Sequence, residues 1–537
     1  MQARLAPPPC ACWPATFRMT AATIPTPTPY DLLPYDLSAF SQLHPSALMA
    51  VGRLLGLRPA NPKRCRVLEL ACGYGGSLFA PAESFPESQF VGVDLSHRQI
   101  ETGRKLAAAA GLSNLRLEVG DIAELDLGEE QFDLILCHGA FSWVPPIVQE
   151  RILALCKQHL AREGLAYISY NCLPGWRLQA NIRDSMRFHA GDRGAPEEKV
   201  GQGLAFLHFL QENQQPPDSP WRGLLAAQTE HLRRMPVSYL FHEYFGEMNQ
   251  PQYFHEFIAR AEQYGLAFLG EATPRGIPAY ALPAPREPRL DTLATDPIRA
   301  EQYRDFLCNR SFRQTLLYHA DRSVTPRPDP RTFFSLYTSI SLQADGTDGD
   351  TAAFLIPGRA RITTRHPFAK ALFSELTQTG AFPVYLPALL RRVRRKNPSL
   401  EPLDAANLEQ VGQLLGSVLV KAGNLYAAIP ALSQHPTRKP RASRLARVMA
   451  EQGPKVFSPL NHTIVLDAFS RRLIQYLDGK MDHSGLVARL VEDGCAGRFA
   501  LPPNTNPVTD EAAVRAYVLP TLDKALTELA SLHLLVA

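Results

Sequence analysis

The chain lacks any stretch approaching 18 uninterrupted apolar residues, which excludes a membrane-spanning helix. It also lacks a Cys-x-x-Cys pair; nine cysteines stand at 10, 12, 65, 72, 137, 156, 172, 308 and 495. An odd number scattered over 537 residues makes no disulfide framework, and reduced thiols in a cytoplasmic protein are expected. Charge of one sign is missing too, since 56 Lys and Arg face 52 Asp and Glu. That balance excludes a chain basic throughout. His-Glu-x-x-His does not occur, nor does an internal repeat of fixed period, so neither a helical zinc site nor a solenoid is indicated. What abounds is proline, 46 residues, which stiffens loops. Hydrophobic residues at 45% and charged residues at 20% fit a folded protein, and the length asks for roughly three units of about 150 residues.

Residues 1–29 carry Pro7-Pro8-Pro9 with Pro25, Pro27 and Pro29 and no continuous apolar segment. They are expected to be a disordered extension rather than a signal peptide, with Met19 an alternative start. Order begins near Tyr30. Short apolar runs at 66–70, 90–94, 115–119, 132–138 and 165–170 read as strands, with helices at 76–85, 96–110 and 147–160 between them. Alternation at this spacing predicts an α/β core, a parallel sheet covered on both faces, with its ligand at the carboxyl edge. After Trp176 the pattern turns helical. Residues 255–264 form a helix stopped by Gly265, Pro274 to Pro288 a connection, and 292–320 a further helical stretch. Short strands flank a turn at Asp345-Gly346-Thr347-Asp348-Gly349-Asp350, and the remainder is mainly helical, with strands at 464–466 and 532–536. The expected units are 30–190, a helical 191–324, a linker and small β region at 325–380, and 381–537.

One motif carries chemistry. Glu69-Leu70-Ala71-Cys72-Gly73-Tyr74-Gly75-Gly76 follows a strand and opens a helix. Glycines at 73 and 75 leave the backbone open to a ligand. Asp94 ends the second strand, where a ribose diol needs a carboxylate, and Asp121 ends the third, where an adenine edge lies. The third glycine that brackets a pyrophosphate is missing. Acidic Glu69 would repel a diphosphate but tolerate a cation. The pattern suits an adenosine ligand bearing a positive charge, such as S-adenosylmethionine; the alternatives are NAD or a nucleotide-shaped fold with a dead site.

Further text supports that reading. Pro34-Tyr35-Asp36-Leu37-Ser38 with His44-Pro45, Val67 to Gly76, Phe90 to Ser96 with Gln99-Ile100, His138 to Val144, and Ser169-Tyr170-Asn171 through Trp176 resemble class I S-adenosylmethionine-dependent methyltransferases. Tyr239 to Tyr244, Gly265-Leu266 and Phe306 to His319 are similar to a methyltransferase regulatory domain. Bacterial proteins with that domain include the rickettsial outer-membrane-protein lysine methyltransferases. Ala71 departs from the family, which usually has Gly there. Asn461-His462-Thr463 to Asp467, and Leu477-Asp478-Gly479 with Asp482, resemble a small winged-helix module.

The resemblance implies roles. Gly73 and Gly75 would admit the methionine part of the donor, with Glu69 near its ammonium. Asp94, with Leu95 beside it, would hold the ribose. Asp121 and the Ile122 backbone would meet the adenine, and His138 would stand closest to the transferring methyl. His138, Tyr170 and Tyr35 are the candidate bases, and no metal is expected. Trp143 and Trp176 either wall an acceptor pocket or pack beneath the regulatory domain; Cys72 and Cys137 read as buried fillers. The resemblance also implies a protein substrate, methylated on lysine. A small-molecule acceptor and a non-catalytic donor-binding module are the alternatives. A nucleic-acid acceptor is disfavoured: after the fourth strand stands His138-Gly139-Ala140-Phe141, not Asn/Asp-Pro-Pro-aromatic. The basic segment 391–447, eleven Lys/Arg against three acids, has Tyr426 as its lone aromatic and reads as a solvated face.

Overall fold

A computed structural model describes residues 28–192, 194–213, 219–274, 293–501 and 511–537. The expected N-terminal extension and the connection from Pro274 to Pro288 lie outside the described residues, save Thr28, Pro29 and Pro274. Among the described residues no helix is long and apolar enough to cross a membrane.

The expected parallel sheet is present. Strands β1 (Arg66–Leu70), β2 (Gln89–Asp94), β3 (Leu115–Val119), β4 (Phe132–Cys137) and β5 (Leu160–Asn171) lie in the order β3-β2-β1-β4-β5. Val67, Leu68 and Leu70 are fully buried, as expected when helices cover both faces. Register decides what meets at the edge. Leu70 pairs with Val93 and with Cys137, and Cys137 pairs with Ile168. The next residue along each strand therefore lines up at one carboxyl edge: Ala71, Asp94, His138 and Ser169. The helix His97–Ala110 begins where expected, the Ser96 hydroxyl accepting from the Gln99 amide at 3.2 Å, and Gly111 in the left-handed region ends it.

The sheet does not close within 30–190. Two antiparallel strands complete it, β6 (Leu266–Glu271) and β7 (Phe312–His319), giving β3-β2-β1-β4-β5-β7-β6. A boundary at 190 cuts through this sheet. The stretch 292–320, expected to be helical, is a helix only over Pro297–Cys308; Asn309 takes a left-handed φ of 49° and the chain turns into β7. Phe312-Arg313-Gln314-Thr315 is ambiguous locally, and pairing with β5 along six registered positions decides it. Between β5 and β6 the helices Trp176–Ala190, Pro196–Glu212, Pro220–Leu232 and Val237–Phe245 gather an apolar cluster of their own around Ile182, Met186, Leu207 and Leu240.

Further on, the strand Gln343–Asp348 runs through most of the expected turn, so the reversal narrows to Gly349-Asp350 before Thr351–Ile356. The C-terminal hairpin Lys455–Phe457 with Thr463–Val465 and the helices around it share one continuous core with β1 to β4. Glu83, near the end of the helix Gly76–Ser84, accepts from the Arg444 and Leu445 amides at 2.6 and 3.3 Å and so caps the helix Arg444–Gln452.

β7 is held by one cation. Arg313 is fully buried and donates to Glu271 of β6 at 2.6 Å, to Glu301 at 3.0 Å and to Asp305 at 2.8 Å, with its guanidinium 3.9 Å from the Phe254 ring centroid. Removing it takes the shared partner from three buried carboxylates, leaving Glu301 to Arg304, and Asp305 and Glu271 to the one guanidinium of Arg310. Arg313→Ala should therefore destabilise the protein by about 3–5 kcal/mol, read as a lower urea midpoint with faster amide exchange across β6 and β7. A loss below about 1 kcal/mol, the scale of a surface pair, would show that the cluster does not hold the sheet.

Candidate functional site

The turn after β1 is built from left-handed residues. Ala71, Gly73 and Gly75 have φ of 56°, 57° and 78°. The Cys72 amide donates to the Val93 carbonyl at 3.1 Å, folding the turn across β2. The two glycines are needed first for this turn. A Cβ on Gly75 would come within 2.6 Å of Leu117 Cδ2, and one on Gly73 within 3.0 Å of Gln99 Oε1. Ala71 meets the same demand with a Cβ, at a strain of about 1 kcal/mol.

Two carboxylates stand at the turn. Asp94 accepts from the Gly73 amide at 2.7 Å through Oδ2 and from the Ser96 amide at 2.9 Å through Oδ1. Burial raises its pKa, and these amides oppose the rise. Glu69 is 5% exposed, and its Oε2 is buried with no hydrogen-bond partner. Burial first, and Asp94 second, lift its pKa to about 8. Among the described residues no side-chain cation is paired with either acid. Such an edge fits a ligand that brings its own positive charge, and an orphaned acid beside an open turn is what a sulfonium amino acid would satisfy. Half-buried Leu95 separates Asp94 from Ser96. At the end of β3, Asp121 caps the short turn Ile122–Glu124 by accepting from the Ala123 amide at 2.8 Å, and Ile122 is buried beside it.

His138 follows β4. Its Nδ1 lies 3.0 Å from the Tyr167 hydroxyl and 3.1 Å from the Ser169 hydroxyl, and the Ser169 oxygen accepts from the Gly139 amide at 2.8 Å. Its ring lies 4.7 Å from that of Phe40. Burial lowers its pKa to about 4, so the imidazole is neutral at neutral pH. Tyr167 is not singled out in the sequence, and Ser169 has no role there beyond the resemblance; the period of two along β5 is the signal that places both beside His138. The same period corrects Tyr170. It points to the opposite face, stacks on Phe257 at 4.1 Å and holds Thr315 Oγ1 at 3.2 Å. Burial drives its pKa well above the ordinary value, so this phenol does not serve as a base beside His138.

Tyr35 lies in a different group. Its ring is 4.5 Å from that of His242, whose Nε2 sits 2.6 Å from the Leu33 carbonyl oxygen. His255 is likewise engaged, its Nδ1 3.0 Å from Gln302 Oε1. Trp143 and Trp176 meet edge to face at 6.0 Å with Trp176 buried, packing beneath the helical region. Cys72 and Cys137 are buried, and burial pushes the Cys137 thiol up to about 12 and the Cys72 thiol well above its ordinary value, which suits fillers rather than nucleophiles.

The segment before the sheet closes over this edge and is held from far along the chain. Thr463 Oγ1 accepts from the Ala39 amide at 2.8 Å and donates to the Ala39 carbonyl at 3.1 Å. Asn461, buried at φ 65°, donates to the Phe40 carbonyl at 3.2 Å and the Ser77 carbonyl at 3.0 Å. Lys455 pairs with Asp36 at 3.0 Å. The C-terminal hairpin thus fixes Phe40 against His138.

Comparisons with known proteins agree with this arrangement. Family models described as Methyltransferase domain, Predicted methyltransferase regulatory domain, and PKMT, C-terminal winged helix domain match residues 67–164, 236–319 and 438–534. The uncharacterized Rickettsia prowazekii protein RP789 is 28% identical over 515 residues, 92% of this chain and 91% of that protein. A second one, RP028, is 38% identical over 234 residues, 44% of this chain and 94% of its own length. Among solved structures, PKMT2 from Rickettsia typhi in complex with AdoHcy aligns with a TM-score of 0.81 at 28% identity, covering 94% of this chain and 100% of that one. The chain belongs to the class I S-adenosylmethionine-dependent methyltransferases that carry a methyltransferase regulatory domain.

Proposed function

We propose that this methyltransferase transfers its methyl group to a lysine amine of a protein. The observation that carries the reading is the extent of the likeness. The similarity to Rickettsia typhi PKMT2 runs the whole length of that chain at a TM-score of 0.82, C-terminal domain included. By contrast, the trans-aconitate 2-methyltransferase of Deinococcus radiodurans matches at 35% over 112 residues, 21% of this chain. Likeness to that enzyme covers about a fifth of this chain and 40% of its own length.

In this reading Glu69 faces the donor's ammonium, Gly73 and Gly75 receive its methionine part, Asp94 with Leu95 holds the ribose, and Asp121 with Ile122 meets the adenine. His138 stands beside the reacting methyl. When bound, the sulfonium supplies an activated methyl and a neutral thioether leaving group. The chain's own contribution is positioning: Phe40 and His138 wall the edge, the left-handed turn fixes the amides, and the paired acids hold a cation in a dry site. An amine nucleophile must also lose a proton before it attacks.

Calorimetry tests the donor side. Asp94→Ala should weaken S-adenosylhomocysteine by about 30-fold, the worth of charge-assisted hydrogen bonds, and undiminished affinity would sink the assignment. Glu69 adds a pH signature. Its pKa of about 8 leaves it mostly protonated near neutrality, and a bound cation favours the ionised form. Binding should therefore release a proton and tighten from about pH 6 to about pH 8, and Glu69→Gln should abolish both effects.

Mass spectrometry of cell extract incubated with isotopically labelled donor tests the acceptor. Methyl label on lysine side chains of protein is expected. Label confined to small metabolites would overturn the lysine reading.

A further inference from the structure

A second group of side chains lies beside the donor edge. The rings of Tyr30, Tyr35 and His242 stack together, with centroids 4.8 Å apart for Tyr30 and His242 and 4.5 Å for Tyr35 and His242. His242 sits on the helix Val237–Phe245, where Tyr239 and Glu243 are four residues apart and share a face. Tyr239 is 37% exposed, so the group opens outward. Glu243 acts electrostatically on Tyr30, Tyr35, Tyr239 and Tyr244, and Tyr30 in turn lies within the field of Asp94. Tyr30 thus feels both carboxylates.

The state of Glu243 separates a site from a packed core. Among the described residues it has no hydrogen-bonded partner. Arg183 is the cation that acts on it, at a distance without a direct bond, one of its N–H groups donating to the Gly246 carbonyl. The Arg313 cluster shows what a structural acid looks like in this chain: Glu271, Glu301 and Asp305 are all bonded directly to one guanidinium. A carboxylate left unbonded among tyrosine rings is the combination that recognises an alkylammonium, the rings attracting the cation and its methylenes while the acid receives a proton.

We propose that Tyr30, Tyr35, Tyr239 and Glu243 form the acceptor site, taking a protonated primary alkylamine, and that Glu243 is the group that accepts its proton. This rests on the lysine reading above. One ammonium proton passes to the Glu243 carboxylate. The freed nitrogen lone pair then forms the N–CH3 bond as the S–CH3 bond breaks and its electron pair stays on sulfur. Burial raises the Glu243 pKa to about 8, closer to that of an amine; near neutrality only its ionised fraction can accept the proton, so labelling should rise from about pH 7 to about pH 8. The helix that carries Glu243 lies within the segment matched by the regulatory-domain model, 236–319, so that segment would supply acceptor chemistry.

The test uses full-length protein and three measurements on Glu243→Gln, with Tyr239→Phe, which keeps the ring, as the companion variant. S-adenosylhomocysteine affinity by calorimetry should match wild type in both. Labelling of extract lysines should fall about 100-fold or more in Glu243→Gln and only about threefold in Tyr239→Phe, which keeps the ring of the site and loses its hydroxyl. In saturation-transfer NMR on the S-adenosylhomocysteine complex, n-butylammonium should receive magnetisation from wild type and about tenfold less from Glu243→Gln, in line with loss of a charge-assisted contact. Lysine labelling by Glu243→Gln at the wild-type rate overturns the site while leaving the lysine reading standing. Absence of lysine labelling by wild type overturns both. Loss of S-adenosylhomocysteine affinity in both variants would assign these residues to the donor and also overturn the proposal.

Discussion

Everything at the carboxyl edge depends on the Asp94 carboxylate. It is where the second strand ends, and it accepts from the Gly73 amide on one side and the Ser96 amide on the other. Those two bonds tie the turn after β1 to the start of the next helix, and with them the left-handed backbone of Ala71, Gly73 and Gly75 is set. The same carboxylate raises the pKa of Glu69 and acts on Tyr30. Two acids kept close in a dry site are costly for the free protein, and a cationic ligand relieves that cost. Selectivity for a sulfonium over a diphosphate follows from the fold's own electrostatics.

A second constraint arrives from 361 to 424 residues away. Asn461 and Thr463 grip Ala39 and Phe40, Lys455 pairs with Asp36, and Glu83 caps the helix Arg444–Gln452. The C-terminal domain is built into the wall of the site and is not a detachable platform. Removing the chain after about residue 380 would loosen Phe40 against His138 as well as delete any substrate-holding surface. Such a truncation cannot separate the two roles, whereas single substitutions can.

The parallel strands, the turn and its acids were legible in the sequence because each is local. Apolar runs of five or six residues, glycines at a strand end and an acid at the next strand end are contiguous text, and register then aligns them. What escaped is non-local. β7 has no signal of its own in Phe312 to Thr315 and becomes a strand by pairing with β5; this also moves the end of the sheet far past residue 190. Tyr170 and Ser169 are neighbours in sequence and opposites in space. The Tyr30, Tyr35, Tyr239 and Glu243 group joins segments some 200 residues apart. Even the basic segment divides: Arg392 and Lys396 both pair with Glu375, whereas Arg391, Arg394 and Arg395 are exposed.

The proposed reaction requires the donor between Asp94 and His138, with its methyl toward the side of Tyr30 and Glu243. A crystal structure of the full chain with S-adenosylhomocysteine tests this most directly. Ribose hydroxyls on the Asp94 carboxylate, the amino group on Glu69, and the sulfur facing the side of Tyr35 and Glu243 are expected. A sulfur turned away from that side, or a ribose held by groups other than Asp94, would contradict that placement.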